Sequence, residues 1–244
     1  MTAIRALFFD LDETLLDDNT GFELAVARSC IDLAHRFDGI DPHGLRAIYC
    51  EASDAFWREL GAGQPWSAFS QHSGAWIRES IWRAALERVG RDDAAILATA
   101  TNLYAEHRRR GYAPFDDVAG VLASLQMSCV LAVVSNGFHD VQEEKLGLLG
   151  IQSYFQLLVA AGNFGAGKPD PAIFCFALDK LGLEPGDVWH VGDSLAADVA
   201  GAKAAGLTAV WLNRHGAQRG PDDPRPDVEI ASLAELPALL EIER

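Results

Sequence analysis

The chain has 244 residues, 35 of them acidic and 20 basic, for a formal net charge of -15; this length suits one large domain or a core with a smaller companion. The negative balance argues against a nucleic acid polymer or an anionic membrane surface as partner. Cys30, Cys50, Cys129 and Cys175 form no CxxC pair and read as reduced packing residues, and with no signal peptide and no run near the ~20 apolar residues of a membrane span, a cytoplasmic protein is expected.

The first element, Ala6 to Phe9, is apolar throughout, as suits a parallel strand buried on both faces. It ends at Asp10 and Asp12, with Thr14 beyond. From there to Gly111 the pattern is helical, in the tracts Glu23 to Phe37, Leu45 to Leu60, Trp76 to Val89 and Asp93 to Arg110. This stretch is far longer than an ordinary crossover, so residues 17–111 read as a helical domain inserted into a core made of 1–16 and 112–244. After it, helices and strands alternate: helix Asp117 to Gln126, strand Val130 to Val134, helix Val141 to Leu149, strand Leu157 to Ala160, helix Pro171 to Leu181, strand Val188 to Val191, helix Leu195 to Ala205 and strand Thr208 to Leu212. Several of the helices stop at glycine. The rhythm predicts an α/β fold with a doubly wound, Rossmann-like parallel sheet. Gly216 to Pro226 reads as a surface loop.

Chemistry-bearing residues gather at the strand ends, where open α/β sheets bind ligands. Asp10 and Asp12 close the first strand; Ser135, Asn136 and Gly137 close the second, just before a helix, where a hydroxyl and backbone N–H groups can hold an anion. Lys168 stands in the glycine-flanked loop GAGKPDP, and Asp193 ends the strand VWHVGD, with Asp198 following in the next helix. Taken singly, the acids can be strand terminators, the serine an N-cap, the lysine a solvated loop residue and Asp198 a partner of the helix dipole. Together they supply a carboxylate nucleophile, a hydroxyl, a lysine and an acidic pair, in an order that core packing does not require.

In FFDLDET, VVSNG, GKPDP and GDSLAAD the sequence resembles the haloacid-dehalogenase-like superfamily, over about Ile4 to Asn213. The resemblance implies a phosphatase in which Asp10 attacks phosphorus and Asp12 is general acid and base. It implies Mg²⁺ held by the Asp10 carboxylate, the Asp12 backbone carbonyl and Asp193, with Asp198 ligating directly or through water. Lys168, Ser135 and the backbone at Asn136 would hold the phosphoryl oxygens, and the helical insert would be a mobile cap. Physical chemistry suits these residue types. Phosphoryl transfer is largely positioning and charge neutralisation, an aspartate can split the hydrolysis into two easier steps, and a carboxylate facing a phosphate needs a hard cation between them.

Other residues divide between two readings. Phe138, His139 and Asp140 could reach a substrate or simply start a helix, with the second preferred. His190 is expected to be a satisfied core histidine. Trp57, Trp66, Trp76 and Trp82, with Arg58, Arg78 and Arg83, could line a specificity pocket, although tryptophans at helical spacing are more often bundle core. Among rival activities, a haloacid dehalogenase typically lacks the acid that Asp12 supplies here. Phosphonate cleavage wants a cap lysine, whereas Lys145, Lys168, Lys180 and Lys203 all lie outside the insert. A sugar-phosphate mutase would keep every motif residue, and a non-catalytic binding protein would usually have lost one. The stretch SNGFHDVQEEKL, the GKPDP loop and the Trp211–Asn213 pair are similar to nucleotide and acylneuraminate-9-phosphate phosphatases of that superfamily, which favours a small nucleotide or sugar phosphate as substrate.

Overall fold

A computed structural model describes residues 4–61, 66–69 and 71–242, without the side chains of 60, 61, 241 and 242. Six parallel strands form one sheet: β1 (Ala6–Phe9), β2 (Val130–Ser135), β3 (Leu157–Ala160), β4 (Val188–Gly192), β5 (Thr208–Leu212) and β6 (Val228–Ile230), in the order β3-β2-β1-β4-β5-β6. The chain therefore winds outward from β1 in both directions, as a doubly wound α/β sheet does. In register, Phe9 lies level with Val133 of β2 and Val191 of β4. The three central strands thus end within about two residues of one another, which brings the residues at their ends into one crevice.

Side chains alternate across the sheet, so β1 feeds two cores. Leu7 and Phe9 pack with α5 (Val118–Leu125), α6 (His139–Leu148) and α10 (Leu236–Ile242) on one face. Ala6 and Phe8 pack with α8 (Ala172–Leu181) and α9 (Ala200–Ala204) on the other. Each fully buried Leu or Phe of the strand contributes roughly 1.5–3 kcal/mol. A four-residue helix, α7 (Ala161–Phe164), follows β3. The expected helix Leu195 to Ala205 is divided, with a π turn over Leu195–Val199 running into α9. Gly182, at φ 63°, ends α8 in a left-handed conformation that favours glycine.

Between β1 and α5 the described residues form four α-helices, α1 (Asp18–Arg36), α2 (Pro42–Gly61), α3 (Gly74–Arg88) and α4 (Ala94–Gly111), and a short 3-10 turn over Trp66–Phe69. They share a third hydrophobic cluster, in which the rings of Tyr49 and Trp82 lie 4.3 Å apart. The helix α1 starts five residues before the expected Glu23, because Asp17 caps it by accepting from the Thr20 N–H at 3.0 Å. Leu16 bridges to Pro114, so the chain leaves the sheet and returns to it at one place. Gly21 and Gly111 pack backbone to backbone there, and a Cβ on Gly21 would lie 3.1 Å from the Gly111 carbonyl oxygen. No described helix is long and apolar enough to cross a membrane. Cys30 is buried, Cys50 and Cys129 are partly buried, and Cys175 is exposed rather than packed.

Candidate active site

Asp10 directly follows β1, its N–H donating to the Val191 carbonyl at 2.9 Å, and its side chain is almost wholly buried. Lys168 Nζ donates to Asp10 Oδ1 at 2.5 Å and to Asp198 Oδ1 at 2.6 Å. His190 Nε2 lies 2.8 Å from the same Asp198 oxygen, and the Ser194 N–H donates to Asp198 Oδ2 at 3.0 Å. The core histidine is therefore paired at Nε2 by a residue of the site, while its Nδ1 is buried without a hydrogen-bond partner. Burial opposes the charge of Asp198, yet Lys168 and His190 hold its carboxyl well below the usual range. Burial also opposes the charged form of Lys168, which Asp10 and Asp198 outweigh, so its pKa rises.

Asp10 behaves in the opposite way. Burial pushes its pKa up to about 8; Lys168 resists, while Asp198, Asp12 and Asp193 add repulsion. Asp193 is pushed to about 6, by burial first and Asp198 second. Oxygens of Asp10, Asp193 and Asp198 lie within 4.8 Å of one another, the only such group of potential metal ligands among the described residues. An all-oxygen set carrying more negative charge than one lysine can neutralise fits a hard divalent cation.

Asp12 lies at the start of a tight turn in which Glu13 adopts a left-handed φ of 61° and its N–H donates to the Leu16 carbonyl. That conformation costs a non-glycine residue roughly 1–2 kcal/mol, offset in part by the Asn19 N–H donating to Glu13 Oε1 at 2.7 Å. Lys145 Nζ donates to Asp12 Oδ1 at 2.6 Å, and Gln142 Nε2 donates to Asp12 Oδ2 at 3.0 Å and to Ser135 Oγ at 2.6 Å. Lys145 also pairs with Asp18 at 2.9 Å, and Arg108 donates to that acid at 2.6 Å. Asn136 clamps the Lys168 peptide, its Nδ2 donating to the Lys168 carbonyl at 2.8 Å and its Oδ1 accepting from the Lys168 N–H at 2.7 Å.

All the strand-end residues singled out in the sequence thus lie around one crevice, while Gln142 and Lys145 were not among them. A signal existed, because Phe138, Val141, Gln142, Lys145 and Leu146 recur at helical spacing. Two polar residues on that stripe are buried with it. The aromatic residues of the four helices between β1 and α5 divide. Trp82 is fully buried and Trp76 stacks on His72, but Trp57 and Arg78 line a cavity of about 280 Å³ that meets the crevice at Asp12, Asn136 and Gln142. Arg83 pairs with Glu79 at the surface. Phe138 is buried against Trp66, and Asp140 accepts from the Gly74 N–H at 3.0 Å, so the serine-motif helix also braces the insert.

A family model for haloacid dehalogenase-like hydrolases matches residues 4–206. The chain is similar to the phosphoserine phosphatase of Thermus thermophilus, 32% identical over 96% of this chain and 98% of that protein. It is similar to the N-acylneuraminate-9-phosphatase of Mus musculus, 31% identical over 99% and 95%. Among solved structures it resembles a 2-haloacid dehalogenase from Pseudomonas syringae pv. tomato, with a TM-score of 0.72 and 29% identity over 99% of this chain and 100% of that one. A match over so much of the sequence, on a sheet whose central strands end in these acids, means that the chain belongs to the haloacid dehalogenase-like hydrolase family.

Proposed function

We propose that the protein is a Mg²⁺-dependent phosphatase that hydrolyses a small phosphate monoester through an aspartyl-phosphate on Asp10. The observation that carries this reading is the pairing of two acids with different surroundings: Asp10 is buried against Lys168, and Asp12, two residues on, is held by Lys145 and Gln142 beside Ser135. The phosphatase relatives support it, and their substrates, phosphoserine and an N-acylneuraminate 9-phosphate, are both small esters.

In this reading Asp10 attacks phosphorus as the ester oxygen leaves, and Asp12 gives that oxygen its proton. Lys168 neutralises phosphoryl charge, held in place by Asp198 and by the Asn136 clamp, while Ser135 and the Asn136 backbone N–H donate to phosphoryl oxygens. Asp12 then takes a proton from the water that releases phosphate from Asp10. Asp10, the Asp12 carbonyl and Asp193 would hold the metal, with Asp198 behind them; when bound, the ion supplies positive charge between carboxylate and phosphate. Residues 17–111 would act as a cap that excludes water from a core of 1–16 and 112–244. Four cysteines scattered through the sequence with no CxxC pair support a reducing, cytoplasmic setting.

Likeness to a dehalogenase favours a second reading, carbon–halogen cleavage by Asp10. Asp12 separates the two, because a halide leaves without needing a proton. The test is phosphate release from a panel of monoesters with Mg²⁺ and after exhaustive chelation, beside halide release from 2-haloacids. Metal-dependent phosphate release is expected, and halide release alone would reverse the assignment.

A further inference from the structure

The cavity between the insert and the sheet carries five charged side chains. Two are acids and both are engaged: Asp12 with Lys145, and Asp18 with both Lys145 and Arg108. Of the three bases, Lys145 and Arg108 are consumed by these contacts. Arg78, on α3, pairs with no carboxylate among the described residues, and its Nε is buried without a hydrogen-bond partner. A guanidinium stripped of water at one nitrogen and given no anion is costly unless something else supplies one. The cavity is thus left with one cationic group in excess, between walls that include Tyr49, Trp57 and Ile81.

Resting on the phosphatase reading, we infer that Arg78 is a specificity residue that receives a carboxylate on the leaving-group side of the substrate. Position supports this. The cavity meets the crevice at Asp12, which serves the leaving oxygen in that reading, and at Asn136, and its lining includes neither Asp10 nor Lys168, so Arg78 shares the space beyond the phosphoryl group with Tyr49, Trp57 and Ile81. Charge and shape support it too. One unpaired guanidinium balances one negative charge, and its fork of N–H donors matches a planar carboxylate. A second phosphate, a dianion, would want more cations than the walls have free.

The experiment compares 3-phosphoglycerate with glycerol 3-phosphate, which differ in carrying a carboxylate or a hydroxymethyl group, in kcat and KM with Mg²⁺ and in Kd for Asp10→Asn by calorimetry. A preference of about 10–100-fold for the carboxylate, expressed in KM and Kd, is expected from a hydrogen-bonded charge pair. Arg78→Gln should shrink that gap to a few-fold and Arg78→Lys should keep part of it, with thermal melting verifying that both variants fold. Equal Kd values for the two ligands on Asp10→Asn would overturn the inference, as would an undiminished gap in folded Arg78→Gln. If neither compound is turned over, the phosphatase reading suffers instead, while the calorimetric preference still decides the role of Arg78.

Discussion

Replacing Lys145 with methionine removes the buried ammonium that joins Asp12 to Asp18 and keeps a side chain of similar length. Breaking a fully buried ion pair typically costs 3–5 kcal/mol, but here the loss is smaller. Asp12 is about a third exposed at 34% and Asp18 at 21%, Arg108 still grips Asp18, and Gln142 still grips Asp12. About 1–3 kcal/mol is therefore expected, or a fall in melting temperature of about 2–12 °C for a chain of this size. The catalytic signature is more telling. If Asp12 is the proposed general acid, holding it at one oxygen instead of two makes it deliver its proton less well, and general acid help is worth about 10²–10⁴ in rate. Lys145→Met should lose part of this, about tenfold, in the formation of the aspartyl-phosphate from an alkyl phosphate, and much less from p-nitrophenyl phosphate, whose leaving group needs no proton. Asp12→Asn should show the same asymmetry more strongly, and the double variant should be little worse than Asp12→Asn alone. Single-turnover kinetics with both esters reads this directly. If folded Lys145→Met slows both esters equally, or neither, Lys145 does not act through Asp12.

Three further outcomes are expected. Asp10→Asn should fold and yet lose several orders of magnitude in turnover, so normal phosphate release by purified protein would end the covalent mechanism. Removal of metal by exhaustive chelation should abolish activity and Mg²⁺ should restore it, measured as phosphate release with metal content assayed in parallel. Asp117 accepts from Arg214, Ser232 and the Leu233 N–H, and although burial opposes its charge these bonds lower its pKa. The stability it gives is therefore complete above the ordinary carboxylate value of about 4 and is lost as pH falls through the lower folded value. Asp117→Asn should cost about 1–3 kcal/mol at neutral pH and flatten the acid limb of a urea-denaturation series, and an unchanged limb would rule that contribution out.

The strands were legible because β1 and the four that follow it are largely apolar runs, and the helices between β1 and β2 because their periodicity persists far beyond any crossover. β6 escaped notice, since Val228–Ile230 is too short to carry a pattern and follows a loop rich in proline and charge. The start of α1 was hidden because Asp18, Asn19, Thr20 and Gly21 are weak helix formers that only a cap and tertiary packing make helical. The strand-end acids, serine and lysine stood out because their order is unusual, and the structure gathers them around one crevice. Lys145 and Gln142 did not stand out, because a lysine or glutamine on a helix reads as solvated until its burial is known. His190 is buried, as expected of a core residue, but the carboxylate that pairs with its Nε2, eight residues away, is a feature of the three-dimensional path.

The junction where Leu16 meets Pro114 and Gly21 packs on Gly111 has an evolutionary consequence. Because the chain departs and returns at neighbouring points, the sheet need not register how many residues lie between them. An ancestral sheet could gain, lose or trade such an insert in one recombination event, leaving the strand-end chemistry untouched while the surface facing the ligand is rewritten. The same junction marks where a chimera should be cut: if residues 17–111 act as the proposed cap, grafting them from a relative would move substrate choice as a heritable unit, separately from the strand-end residues.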